Sequence, residues 1–546
     1  MWHVSMKNLI VSTLAFLCAV SLFADCYKGN ASQVLPAPKG EHYSFSPTMR
    51  YSQLVIDSRI NDFKANTKAA GFGVFDGQGH SVENPQGQTS TLDYVSGLVA
   101  KAILEVVDYY QHSDDIDVAP WYYAIEDYAN RCDISSNGKN GKSFDDLNAV
   151  KLYFKLSELT ASGRFAESPT YPRASTLENA SVRFADALKG IANANKNYVI
   201  KESTLPDAAG GWWHKSSYTN QMWCDGQYMG PALLAQLINE YEDYQSMTAD
   251  DWALVVSQFS IAWRFLWNED VGLLYHAFTA DPSGNAAKDW AGVSAQKGAE
   301  VYHSAEYWGR AIAWYFLALV DVLEQMEKAN LSASDGYASL HGYLQQLAVG
   351  VAAKQDAASG CWYQLINHDA SLVAQRYSSY SYTSEPVANY LESSCTAIFI
   401  AAYLKAIRLH LHPETYTPLA CKAYQGFVEH FMVSDGEGGV HLIGSCKSAG
   451  LGGSNYRDGS AEYYLMGKDT KPTSTSGSDF YTEGKVLGGF ILAAVEYERI
   501  NDETLTHVKH LSVPTNGAPE VYALGGWRQQ EPLRGIYIKN RKCISR

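Results

Sequence analysis

From about Asp93 to Glu498 the apolar residues of this chain return every third or fourth position. The stretches DYVSGLVAKAILEVVDYY, WYYAIEDYANRC, DLNAVKLYFKLSEL, SVRFADALKGIANA, GPALLAQLINEYEDY and DWALVVSQFSIAWRFL follow the helical period better than strict alternation. So do AEYWGRAIAWYFLALVDVLEQM, LHGYLQQLAVGVAAK, SSCTAIFIAAYLKAIRLH, KAYQGFVEHFM and KVLGGFILAAVEYERI. With one N-terminal helix allowed for, the pattern predicts roughly a dozen helices. Most carry a broad apolar face and must bury one side. The connectors are rich in Gly, Asn, Asp, Ser and Pro. Such connectors pack successive helices as antiparallel pairs, so about six pairs are expected. A bundle, a solenoid and a closed toroid all accommodate that count. A solenoid needs a repeat of fixed period. None is visible, which favours a closed, irregular ring.

The ends of the chain differ from this body. Lys7 precedes an apolar run of about a dozen residues that finishes near Ala24, the pattern of a secretory signal peptide. Met6 offers a second start. A lipoprotein reading centred on Cys26 is weaker, because Asp25 stands where a small residue is expected. The expected layout is a signal peptide over 1–24, a helical domain over 25–500 and a linker and tail over 501–546. In the tail, Gly-rich turns and the alternating GIYIK predict a short β-hairpin. Residues 161–174 and 466–484 read as loop insertions. No later stretch is long and apolar enough to cross a bilayer. The net charge of −15 argues against a nucleic-acid partner. It also requires that an anionic substrate be met by local cations. The nine Cys show no zinc spacing.

Three clusters could carry chemistry. In GGWWHKSSYTNQMWCDGQYMG, Asp225 lies between Trp223 and Tyr228 at the start of an apolar stripe, with His214 and Lys215 upstream. A helix N-cap is the plain reading of such an Asp. A cap, however, needs neither the aromatic rings nor the imidazole and the cation. Apolar neighbours raise a carboxyl pKa, which suits a general acid, and a helix N-terminus opposes that shift. In SFDDLNAVKLYF, Asp145, Asp146 and Asn148 open a helix, and capping is again the plain reading. In YWGRAIAWYF, Arg310 and Trp314 share a helix face. Arg310 among apolar residues calls for an anionic partner, either a substrate or an internal Asp or Glu. Trp308 and Trp314 are either core or sugar platforms. His276 in LLYHAF reads as structural, and Glu392 in NYLESSC as a cap or ion-pair partner. AGLGGSNYRDGSAEYYL lacks the Lys-Ser/Thr of a phosphate loop.

Taken together and in order, LDYVSGLVAKAIL, FDDLN, WWHKSSYTNQMWCDGQYMG, LLYHAF, YWGRAIAWYFLALVDVL, GCWYQL, NYLESSCTAIF, AGLGGSNYRDGSAEYYL and GGFILAAVE resemble glycoside hydrolase family 105, and family 88 more distantly. The resemblance runs from about Leu92 to Glu496. It implies an all-α fold, an (α/α)6 barrel or six-hairpin toroid with a short β-type C-terminal tail. It also implies removal of a 4,5-unsaturated uronic acid from the non-reducing end of oligosaccharides left by pectin lyases. The reaction is hydration of a vinyl ether, not displacement between two carboxylates at the anomeric carbon. Asp225 matches the family's general acid, and Asp145 its second aspartate, with Asp146 the alternative. His214, Lys215, Trp223, His276, Arg310, Trp314, Asn148 and Tyr94 are the expected substrate-binding positions. No metal or organic cofactor is implied.

The chain departs from the family pattern in three places. Ala313 replaces a usual Gly, Leu92 replaces a common aromatic, and residues 466–484 replace a shorter acidic and Lys-Gly segment. The tail resembles short β-type tails on exported bacterial proteins, so placement outside the cytoplasm is expected. The competing readings are an unsaturated glucuronyl hydrolase acting on other lyase products, an (α/α)6 glycosidase or lyase using ordinary acid–base chemistry, and a non-catalytic surface glycan-binding protein.

Overall fold

The computed structural model describes residues 37–65, 92–131, 140–168, 171–284, 287–291, 302–453 and 456–510, together with four strands between 521 and 545. The expected signal peptide lies outside the described residues. The chain divides into two units, one of which runs from Lys28 to Glu498. Its helices are α1 (Tyr51–Ala65), α2 (Tyr94–Tyr110), α3 (Ala119–Arg131), α4 (Phe144–Asn148), α5 (Leu152–Ala161), α6 (Arg173–Asn197), α7 (Cys224–Met229) and α8 (Pro231–Glu240). They continue as α9 (Asp251–Leu266), α10 (Gly309–Lys328), α11 (Asp335–Ala352), α12 (Ser393–Arg408), α13 (Thr417–Phe431), α14 (Ala461–Met466) and α15 (Gly484–His510), the last with its residues up to Glu498 in this unit. A 3-10 turn joins α4 to α5. Short strands β1 (Gln221–Trp223), β2 (Trp267–Asn268), β3 (Leu273–Leu274), β4 (Ala277–Thr279), β5 (Val373–Ala374), β6 (Val387–Ala388), β7 (Met432–Ser434) and β8 (Val440–Leu442) lie in the connections. They pair antiparallel as β1–β4, β2–β3, β5–β6 and β7–β8.

Burial alternates along the chain. α10 buries 16 of its 20 residues, whereas α11, the next helix, buries 6 of 18. α12 then buries 14 of 16. A helix apolar all round must sit inside, and one with a single apolar stripe must sit on the outside. The inner helices are α2, α4–α5, α7–α8, α10, α12 and α15. Sequential inner neighbours touch: α2 with α4, α4 with α7, α7 with α10, and α10 with α12. Gly488 and Gly489 complete the ring from α15. A Cβ on Gly488 would lie 2.6 Å from the Leu98 side chain of α2, and one on Gly489 would lie 3.0 Å from Ile398 of α12. The last inner helix is thereby wedged between the first and the fifth, giving the six-hairpin helical fold.

Caps fix several of these helices. Asp93 accepts from the backbone of Val95 and Ser96 and forms a capping box. Asp250 and Ser334 cap α9 and α11. Each such cap contributes about 1 kcal/mol. The 161–174 connection is anchored by Phe165, which stacks on Tyr122 at 4.1 Å. The 466–484 segment pairs with the chain at 444–448: Gly444 N–H donates to Thr473 O at 2.9 Å and Ser448 N–H to Asp469 O at 2.7 Å. No helix among the described residues is long and apolar enough to cross a membrane.

In the second unit, β9 (Val521–Ala523), β10 (Arg528–Gln529), β11 (Ile536–Lys539) and β12 (Lys542–Ser545) form an antiparallel sheet in the order β10-β9-β11-β12. The GIYIK stretch supplies β11, which pairs with β12 from Ile536↔Ser545 to Lys539↔Lys542. The tail is therefore a four-stranded sheet that contains the expected hairpin.

Candidate active site

The stretch that opens α7 does not begin as the sequence suggests. Residues 221–223 are extended and pair with β4, Trp223 lying opposite Ala277. This ribbon delivers the chain into α7 with Trp223 at the N-cap position and no side-chain cap. Asp225 is in the first turn and is not the cap, so the capping reading is overturned. The helix breaks at Gly230 before Pro231 restarts it as α8. Gly230 is required by close approach, since a Cβ there would sit 2.7 Å from the Phe144 ring of α4.

α4 has the same architecture. Ser143 is its N-cap residue, again without a side-chain cap bond. Ser143 forms an antiparallel bridge with Lys215. Phe144 N–H donates to His214 O at 3.2 Å. That bridge brings two side chains onto Asp145: Lys215 Nζ lies 2.6 Å from Oδ2 and His214 Nε2 lies 3.2 Å from Oδ1. Asp145 is an ion-pair partner, not a cap. Asp146 is exposed and turns away from the cavity.

A cavity of about 190 Å³ opens between these two helix mouths. Asp145, Asp225, His214, Lys215, Trp223, Tyr94, Arg310 and Trp314 all line it. Their environments separate the two acids. Burial pushes the Asp145 carboxyl up, but Lys215 and then His214 overcome it and hold the group well below the usual carboxylate range. Asp225 is raised, first by burial and further by Asp145, with His214 and Lys215 opposing. Its Oδ1 is buried without a hydrogen-bond partner. One acid is held ionised and the other favours its proton, which is how a pair of carboxyls acquires distinct roles.

Rings hold the imidazole in place. His214 stacks on Trp223 at 5.5 Å, and Tyr218 stacks on the same indole at 4.7 Å. Gly226 leaves room for this arrangement, because a Cβ there would meet His214 Nδ1 at 2.8 Å. Trp314 lies with one face on Tyr228, 4.7 Å away. Trp308 also lines the cavity, and the Arg310 guanidinium lies 4.7 Å over its ring.

Arg310 lines the cavity, and its hydrogen bonds go to oxygens other than Asp or Glu carboxylates, while Glu392 and Glu483 act on it electrostatically. Nη1 donates to Cys446 O at 2.6 Å and to Ser394 Oγ at 3.2 Å, and Nη2 donates to Lys447 O at 3.3 Å. Carbonyl dipoles meet the buried charge, and the guanidinium fastens the loop that forms the opposite wall.

Two expected positions do not face the cavity. His276 is fully buried behind Trp223 and Trp308, with Nδ1 2.8 Å from Tyr464 Oη. Asn148 is buried at the end of α4 and is absent from the lining. Other lining residues carried no assigned role in the sequence: Tyr218, Met229, Ser448, Ala449, Gly450, Arg457 and Lys485. Arg457 donates to Asp469 Oδ2 from Nε at 3.1 Å and from Nη2 at 2.6 Å. Lys485 pairs with Glu483 and lies 5.7 Å over the Tyr94 ring. Arg457 and Lys485 thus put two cations on the cavity wall, each paired with an internal acid. Their only sequence signal was a basic residue inside an otherwise aperiodic loop or at a helix start.

The profile of Glycosyl Hydrolase Family 88 matches residues 76–501. The 24.9 kDa protein in the picA locus of Rhizobium radiobacter is 32% identical over 215 residues, 38% of this chain and 78% of that protein. The structure resembles a family 105 glycoside hydrolase from C. acetobutylicum at 25% identity and a TM-score of 0.58, covering 83% of this chain and 100% of that one. A possible family 105 member from Klebsiella pneumoniae shares the fold at 17% identity and a TM-score of 0.54, with 87% and 98% covered. With both acids in one cavity of a six-hairpin ring, and the family profile spanning that ring, the chain belongs to the glycoside hydrolases of the family 88 and family 105 group.

Proposed function

We propose that the protein is an unsaturated uronyl hydrolase that removes a 4,5-unsaturated galacturonic acid from the non-reducing end of pectin-derived rhamnogalacturonan oligosaccharides. The observation that carries this reading is the split pair: Asp225, whose carboxyl is raised by burial, opposite Asp145, held ionised by Lys215 and His214. Asp225 gives its proton to C4 of the sugar alkene. Positive charge then develops at C5 and the ring oxygen, where the fixed negative charge of Asp145 stabilises it. Water adds at C5 and returns a proton to Asp225. The ring-oxygen–C5 bond of the hemiketal opens to a ketone, and the hemiacetal left at C1 releases the remaining sugar. One water is consumed and no redox change occurs. Lys215, Arg457 and Lys485 supply positive charge for the uronate carboxylate.

The test is the ultraviolet absorbance of the conjugated uronate in an unsaturated rhamnogalacturonan disaccharide. It should fall with the wild-type protein and persist with Asp225→Asn. A rise on intact pectin would mark a lyase, and no change on any unsaturated uronide would sink the hydrolase reading. Placement outside the cytoplasm belongs to the same proposal, on the strength of the apolar run before Ala24. Detection of the intact N-terminus in the cytoplasmic fraction alone would count against it.

A further inference from the structure

From Arg457, on the cavity wall, a line of contacts leads to an exposed tyrosine. Arg310, on one wall, is 2% exposed, the Arg457 side chain is 30% exposed, and Tyr380 beyond it is 47% exposed. The steps along that line are short. The Arg457 guanidinium lies 5.5 Å over the Tyr456 ring, and Tyr456 stacks on Tyr380 at 4.3 Å and 18°. Among the described residues Tyr380 is the exposed aromatic side chain; the other exposed large apolar residues are the valines Val182, Val349 and Val373.

Tyr380 is held from both sides. Lys468 N–H donates to Tyr380 O at 2.9 Å, and Tyr382 N–H donates to Met466 O at 3.0 Å. Asp469 accepts from Tyr456 Oη at 3.1 Å and from Arg457. All three anchoring residues, Met466, Lys468 and Asp469, belong to the 466–484 segment, where the sequence departs from the family pattern. Lys468 itself is exposed, with Nζ 5.9 Å from the centre of the Tyr380 ring. A ring stacked on one face and wet on the other contributes little to folding, because its outer face stays in water. An exposed ring with the Lys468 ammonium close by suits a pyranose that carries a carboxylate.

We propose that Tyr380, backed by Tyr456 and flanked by Lys468 and Arg457, forms an outer subsite. It stacks a sugar lying beyond the residue next to the cleaved bond and selects oligosaccharides in which that outer sugar is a second uronate. This rests on the hydrolase reading and narrows its substrate class to chains longer than the disaccharide.

The experiment compares kcat/KM for an unsaturated disaccharide and an unsaturated tetrasaccharide with an internal galacturonate. The wild type should favour the tetrasaccharide by about tenfold, the order of one good aromatic contact. Tyr380→Ala should remove most of that ratio. Lys468→Ala should lower it about threefold and flatten its dependence on salt. A ratio near unity in the wild type, or one that Tyr380→Ala leaves intact, overturns the subsite. If the wild type turns over no unsaturated uronide, the hydrolase reading fails separately. Calorimetric binding of the tetrasaccharide then decides, and equal affinity for wild type and Tyr380→Ala overturns the subsite.

Discussion

Two inner helices begin with an acid, and the acids do opposite things. At α12, Glu392 is fully buried and every contact is a donor. It accepts from Cys395 N–H at 2.7 Å, from Cys446 N–H at 2.9 Å, and from Ser394 N–H and Oγ–H at 3.2 and 2.8 Å. At α7, Asp225 leaves Oδ1 buried and unpartnered beside a cavity. Glu392 is the N-cap of α12 and Asp225 lies in the first turn of α7; a carboxyl near a helix start is structural where it is saturated. Where donors are withheld, it is available to a substrate. The difference lies in what the rest of the fold brings to each mouth.

The largest break in this contrast comes from Asp225→Asn. Turnover of an unsaturated uronide should fall by about 10²–10⁴-fold, the worth of a positioned general acid. Circular dichroism should be unchanged. Stability should also respond with a defined sign. Asp225 has a raised folded pKa, so the stability it contributes is present at low pH and is lost as pH rises through that pKa. Thermal melts of Asp225→Asn and wild type should therefore diverge as pH rises, with the variant the more stable at neutral pH.

Gly226→Ala tests positioning without touching either acid. Its Cβ would press on His214 Nδ1 and shift the imidazole off Asp145, and kcat should fall by about 10–100-fold. Normal turnover would show that the His214–Asp145 contact is dispensable. Glu392→Gln should act on stability instead. It replaces an acceptor with a donor among donors, and denaturant titration should register a loss of about 3 kcal/mol. The smallest effect belongs to Asp146→Asn. That exposed neighbour of Asp145 should leave activity within about twofold and stability within about 0.5 kcal/mol.

The sequence made the helices readable because burial on one side leaves a period of 3.6, and burial on all sides leaves a long apolar run bounded by turn residues. It made Asp225 stand out because that acid opens such a stripe among aromatic and basic neighbours, whereas Asp145 alone reads as a cap and is put forward by the family resemblance; both line the cavity. It misled at α7, where Gly230 and Pro231 break what reads as one continuous stripe; the Gly-Pro pair is the local signal of that break, while the close approach of Phe144 that requires Gly230 is not encoded locally. The family resemblance, rather than the residues themselves, puts His276 and Asn148 in the site; both are buried and neither lines the cavity. Arg457 and Lys485 were not assigned for a matching reason. Their place depends on how the final connections fold back, and a loop without periodicity carries no trace of that.

The bonds from Arg310 to the carbonyls of Cys446 and Lys447 join positions 136 and 137 residues apart. During synthesis on the ribosome, the fourth inner helix would emerge long before the wall it must clasp. The cavity can therefore close only after that loop leaves the exit tunnel, so a nascent or clipped chain ending short of it would lack one wall of the cavity.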